Sequence, residues 1–149
     1  MYDFVDQPVE RLCNGGRFLL WAMRGWSHAK GRSACAPIAL ARGFTGVDAL
    51  AALNDFNAVM ALLNRDALET LQFSPMGCAR IAEDEAILSN LWRDAALGRR
   101  DRVEATLGLL VEEQTVAQIT LAVTATVAKL AAAGLDPAGA LAEVQKDIK

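Results

Sequence analysis

Apolar positions near the start of the chain recur at alternating steps of three and four: Val9, Leu12, Gly16, Leu19, Met23 and Trp26. That rhythm is one face of a helix. With Asp6 as a capping acid and Pro8 in the first turn, it predicts a helix from about Pro8 to His28. The stripe runs through Asn14-Gly15-Gly16, where propensity favours a break. Continuity requires the glycines to admit a neighbouring helix closely; a helix restarting at Asn14 as N-cap is the alternative. Gly31, Arg32 and Ser33 end the segment. Pro37 then opens a short helix to about Arg42, with Gly43 as its stop. Thr45-Gly46-Val47-Asp48 has the outline of a capping box for a third helix. Its buried face is Val47, Leu50, Leu53, Phe56 or Asn57, Met60 and Leu63.

Residues 64–75 are the least regular stretch, with Leu68, Leu71 and Phe73 tucked onto the core, and Pro75-Met76-Gly77 forms a turn. Glu83, Asp84 and Glu85 suit the positive end of a fourth helix, which continues through Ile81, Glu85 or Leu88, Leu91, Trp92 and Ala95 to Gly98. Asp101 caps the longest predicted segment, which runs to about Ala133 before Gly134. Two stripes share it: Leu107, Leu110, Gln114, Ala117, Leu121, Thr124, Ala128 and Ala131; and Val116, Ile119, Val123, Val127 and Leu130. Two stripes imply a helix buried on most sides. Asp136-Pro137 begins a last helix to about Asp147. No segment reads as a strand. The expectation is an all-α, single-domain bundle of five to six helices with short loops over 1–149, with one long buried helix at about 101–133.

Composition sharpens this in one respect. The chain of 149 residues is 53% hydrophobic and only 22% charged, so the polar faces of its helices are thin. Either the helices are unusually buried or a partner completes an apolar face. The net charge of −3 argues against a polyanion binder. The first fifty residues hold six basic and four acidic groups, the remainder nine and fourteen, a mild asymmetry that a solvated surface accommodates. The acidic start Met1-Tyr2-Asp3-Phe4-Val5-Asp6 is unlike a secretory leader. Ile119–Gly134, interrupted by Thr120, Thr124, Thr126 and Lys129, falls short of a membrane span. Cys13, Cys35 and Cys78 are odd in number and far apart, which predicts cytoplasmic thiols, mostly buried.

Candidate chemistry is sparse. Ile38–Leu50 has the outline of a helix-turn-helix, but its would-be recognition helix opens on Gly46, Asp48 and Ala49. Aspartate would repel phosphates, and only Asn54 and Asn57 could read a base. His28 is the single histidine; beside a helix C-terminus it suits the dipole better than a nucleophilic site with Cys35 or Cys78. Glu83–Glu85, Glu112 and Glu113 lack the Glu-x-x-His pairs of carboxylate metal bundles. Asn14-Gly15-Gly16-Arg17 lacks the strand and lysine of a phosphate loop, although a helix starting there would offer amide groups to an anion. No catalytic, cofactor or metal residues are therefore assigned.

Binding signals are stronger. Trp21 and Trp26 are five residues apart on one helix and cannot share one core-facing line; with Arg17 and Arg24 they make a candidate aromatic, Arg-edged surface. Gln114 and Thr124 interrupt an apolar stripe, where polar residues can fix the register of paired helices. The candidate surface is thus Arg17, Trp21, Arg24, Trp26, Gln114 and Thr124. The expected function is a non-enzymatic helical interaction or adaptor-type domain that self-associates or meets a protein partner. A bundle binding a small apolar ligand among tryptophan and methionine is the alternative, and a weak helix-turn-helix DNA binder the second.

Overall fold

The computed structural model describes residues 4–139. Six α-helices follow one another: α1 (Asn14–Gly31), α2 (Ala36–Gly46), α3 (Leu53–Asp66), α4 (Glu83–Ala96), α5 (Arg100–Leu110) and α6 (Glu113–Ala132). Single 3-10 turns lie at Val9–Arg11, Leu50–Ala52 and Pro137–Gly139. Among the described residues no strand forms, only isolated bridges pairing Pro8 with Arg80 and Ala67 with Val111. The fold is an all-α helical bundle. The helix expected from Asp136 to Asp147 lies mostly outside the described residues, which show a single 3-10 turn at Pro137–Gly139.

The first helix begins at Asn14 rather than Pro8. Asp6 is left-handed (φ 62°) instead of capping. The segment around Pro8 pairs with the stretch before α4: Asp6 N–H donates to the Ile81 carbonyl (2.8 Å) and Val9 N–H to that of Ala79 (2.8 Å). Cys13 is the N-cap, its sulfur accepting from Gly16 N–H at 3.4 Å. Gly15 does mark a close approach, but not of a neighbouring helix. A Cβ on Gly15 would lie 2.4 Å from the Leu135 carbonyl oxygen, so the chain leaving α6 crosses directly over the start of α1.

Helix α2 runs through Gly43 to Gly46, correcting the expected stop at Arg42 and the expected third-helix start at Thr45. Gly43 is a seat, not a terminator. A Cβ there would sit 2.1 Å from Trp21 Cη2, because the outer edge of that indole packs against the backbone of α2. The chain turns instead at Asp48 (φ 63°), and α3 begins at Leu53. Leu53, Phe56, Met60 and Leu63 are buried as expected, whereas Val47 and Leu50 lie outside the helix and are exposed. The outline expected over Ile38–Leu50, with its turn at Gly43, is therefore not the one that forms: the turn falls at Asp48.

The long segment at 101–133 is two helices. Val111 is fully extended between them (φ −134°, ψ 172°). Nothing in Leu110-Val111-Glu112 breaks a helix locally; the cause is Asp66 at the end of α3. Its carbonyl accepts Glu112 N–H (3.1 Å), its carboxylate accepts the Thr115 hydroxyl (2.5 Å), and Leu68 N–H donates to the Leu110 carbonyl (2.8 Å). These bonds tie the C-terminus of α3 to the N-terminus of α6. At the other end Lys129 Nζ meets Asp55 at 2.6 Å, so α3 and α6 run antiparallel along the bundle. Asp101 falls in the first turn of α5, whose N-cap is Arg99.

The core is threaded by aromatic rings. Phe18 meets Phe44 edge-on (centroids 4.8 Å apart), Phe44 meets Phe56 (5.6 Å), and Phe56 stacks on Trp92 (6.0 Å). Trp92 Nε1 donates to Met23 Sδ at 3.5 Å, which satisfies the indole N–H at the centre of the molecule. Leu71 and Phe73 pack on this core as expected, while Leu68 is exposed.

Candidate functional site

The residues singled out from the sequence do not form one surface. Arg17 is exposed and donates to Asn14 Oδ1 (2.9 Å), steadying the first turn of α1. Trp21 is half-buried between Phe18 and Gly43. Arg24 is only 3% exposed and does not lie over the tryptophan rings. Its Nε and Nη2 donate to the two oxygens of Glu85 at 2.8 and 2.9 Å, and Nη1 and Nη2 donate to the carbonyls of Cys78 and Arg80, both at 2.8 Å. Glu85 also accepts from Ala82 N–H (2.9 Å) and Ser74 N–H (2.8 Å). Burial opposes its ionisation most strongly, yet the Arg24 bonds and these two amides together hold its pKa below the ordinary value. Every arm of this pair is occupied, so it latches the 74–82 segment onto α1.

The cysteines are also placed otherwise than expected: Cys13 and Cys78 are half-buried, Cys35 is exposed, and all are free thiols. His28 is exposed in the last turn of α1. Among the described residues no three His, Cys, Asp or Glu side chains converge to hold a metal ion.

Two features are candidate binding surfaces. The first is the outer face of α6. This helix is apolar enough by length and composition to span a membrane, with a mean hydropathy of 1.4 over its best 18-residue window. It is nevertheless a bundle helix, burying Ile119, Val123, Val127 and Leu130. Only 39% of that window is buried, so much of its apolar sequence faces outward. The stripe of Gln114, Ala117, Leu121, Thr124, Ala128 and Ala131, expected inside, is exposed, with Leu121 at 63%. No charge falls between Glu113 and Lys129. Thr124 is no interhelical hydrogen-bonding group, because its hydroxyl donates back to the Thr120 carbonyl (2.8 Å). Thr120 and Thr126 likewise donate to Val116 and Ala122, at 2.8 and 2.7 Å.

The second is a cleft of about 120 Å³ where the C-terminal halves of α1 and α3 meet the loop after α3. Trp26 forms one wall and is 5% exposed, its Nε1 donating to Asn57 Oδ1 at 2.8 Å. Met60, Leu63, Leu71 and Phe73 complete the apolar lining. Lys30, one turn beyond Trp26, sets its ammonium 5.7 Å from the indole centroid. A tryptophan–methionine pocket was legible in the residue types, but it uses Met60 from α3, while Met23 lies under Trp92. The missed signal is the spacing of Trp26 and Lys30, which puts a cation and a ring on one helix face.

No known protein family, curated protein or solved structure matches the chain.

Proposed function

We propose that this chain is a non-enzymatic helical interaction domain, adaptor-like and cytoplasmic, that pairs with a second copy of itself through the outer face of α6. The observation that carries this reading is the uncharged face from Gln114 to Ala128, about 20 Å long at helical rise, with exposed Leu121 at its middle. A face without charge offers no handle to an acidic or basic partner. One bulky residue among alanines fits its own copy about a twofold axis, where each leucine enters the small-residue surface opposite. Shallow ground beside it, where Ala95 and Ala96 of α4 flank Thr124, Ala128 and Ala131 and Asp136 sets the one charge, widens the contact. Three free thiols agree with a reducing compartment.

The test is native mass spectrometry with sedimentation velocity across a concentration series. A concentration-dependent dimer is expected in the wild type. Leu121→Glu, at an exposed helical position, should weaken it at least a hundredfold while leaving the far-ultraviolet circular dichroism unchanged. A wild type that stays monomeric to hundreds of micromolar, or a dimer indifferent to Leu121→Glu, overturns the reading.

A further inference from the structure

We infer that the cleft beside Trp26 is a binding site for a small amphipathic carboxylate, its short branched or cyclic hydrocarbon part inside and its charge at the mouth. Size limits the ligand first. At about 120 Å³, the cleft is somewhat smaller than the ~150 Å³ cavity that admits benzene. A four- or five-carbon branched group fits the interior, and a long acyl chain does not. The Trp26 and Phe73 rings with Met60, Leu63 and Leu71 supply the apolar part of a wall whose remaining surface is polar.

Charge decides the rest. The polar residues lining the cleft are Ser27, Lys30, Asn64 and Thr70. They comprise one cation, two hydroxyls and an amide, and no acid. Lys30 makes no ion pair with a carboxylate among the described residues, and its ammonium lies over the Trp26 ring. An anion at the mouth therefore meets an ammonium and neutral hydrogen-bonding groups without opposing charge.

The walls are fixed before any ligand arrives. Asn57 locks the Trp26 indole. The outer loop is pinned at both ends, by Leu68 N–H on the Leu110 carbonyl and by Gln72 N–H on Asp84 Oδ2 (2.7 Å), with Ser74 N–H on Glu85 just beyond. A preformed wall spares the ligand the entropy of ordering it. The cleft shares no residue with the α6 face, so this inference stands apart from self-pairing.

The test titrates the full chain with isovalerate, and separately with the neutral isovaleramide, followed by proton–nitrogen NMR. The Trp26 indole N–H, identified through Trp26→Phe, reports directly from the cleft wall. Isovalerate should move that resonance saturably. Lys30→Met, which keeps the aliphatic stem, should weaken isovalerate about tenfold, roughly 1.4 kcal/mol, and leave isovaleramide unchanged. Ala67→Phe, which fills the cleft, should abolish both responses; if it perturbs the whole spectrum, Thr70→Trp on the exposed loop plugs the same space. No saturable response to isovalerate, equal weakening of acid and amide by Lys30→Met, or a response that survives a plugged cleft overturns the inference.

Discussion

Arg24 and Glu85 leave water together, and separating them should cost far more than either hydrogen bond suggests. Arg24→Met keeps much of the side-chain volume but leaves a carboxylate that is 0% exposed with only two amides as partners. Breaking a buried pair from one side typically costs about 3–5 kcal/mol, and replacing both partners with apolar residues recovers part of that. Urea denaturation of Arg24→Met and of the double variant Arg24→Met/Glu85→Met should show this order. The pH dependence carries a sign that tests the cause. In the wild type Glu85 is held below its ordinary pKa, so its contribution is complete above the unfolded value of about 4.3 and is lost as pH falls through the folded one. Without Arg24, burial is the dominant influence and pushes the same carboxyl upward. Its folded form then gains relative stability on acidification. The stability gap between wild type and Arg24→Met should narrow from pH 7 to pH 4; a gap that widens would show that Arg24 does not hold Glu85 ionised. Asp66, lowered to about 2 chiefly by Arg65 and then by Thr115, keeps its charge across this window and does not confuse it.

At the scale of elements, the helix ends show what the sequence encodes locally. Four helices close with the same pair of bonds, a 6→1 and a 5→2 contact around one left-handed residue: Ser33 after α1, Asp48 after α2, Gly98 after α4 and Gly134 after α6. Gly98 and Gly134 were legible as stops because glycine carries no penalty there. Asp48 was not, since Gly43 and Gly46 upstream advertise a termination that the structure uses for the Trp21 contact and for ordinary helix. Ser33→Gly and Asp48→Gly should each stabilise by about 0.5–1 kcal/mol by relieving a left-handed L-residue, and Gly134→Ala should cost about 1 kcal/mol or more. Gly43→Ala sets helix propensity, favourable by up to about 1 kcal/mol, against a Cβ placed 2.1 Å from a packed indole. Overpacking of this kind costs about 1–3 kcal/mol, so a net loss is expected in denaturant melts, and a gain would mean Trp21 moves freely.

The break between α5 and α6 was hidden for a different reason. The three–four rhythm passes through Leu107, Leu110 and Gln114 with no proline and with Gly108 well inside α5, and the bonds that stop it come from Asp66, far away in sequence. One local signal existed. Glu112 and Glu113 are adjacent acids at the start of α6, the same pattern that correctly placed α4 from Glu83–Glu85. Placed in the interior of one long predicted helix, they concealed a helix start. The site was legible in the same uneven way. Residue types named a tryptophan–methionine pocket and an apolar stripe on the long helix, but which Met faces Trp26, and which stripe faces out, depended on pairings of α1 with α3 and of α3 with α6 that no local pattern contains.

For the whole molecule, the outward stripe of α6 ties stability to concentration if pairing occurs. A partner that binds only the folded chain stabilises it by mass action. For a homodimer unfolding to monomers, above its dissociation constant, each tenfold increase in protein adds about half of 1.4 kcal/mol per chain. For a domain near 150 residues, that moves Tm by roughly 2 °C. The wild type should therefore show a Tm that climbs with concentration, and Leu121→Glu a Tm that does not. The comparison separates pairing from folding. Leu121 is 63% exposed, so the variant should match the wild type at the lowest concentration, where both are single chains. Leu121→Glu melting well below wild type in that dilute limit would mean that Leu121 belongs to the fold of one chain. Two flat Tm profiles would leave α6 with an apolar face that no second copy covers.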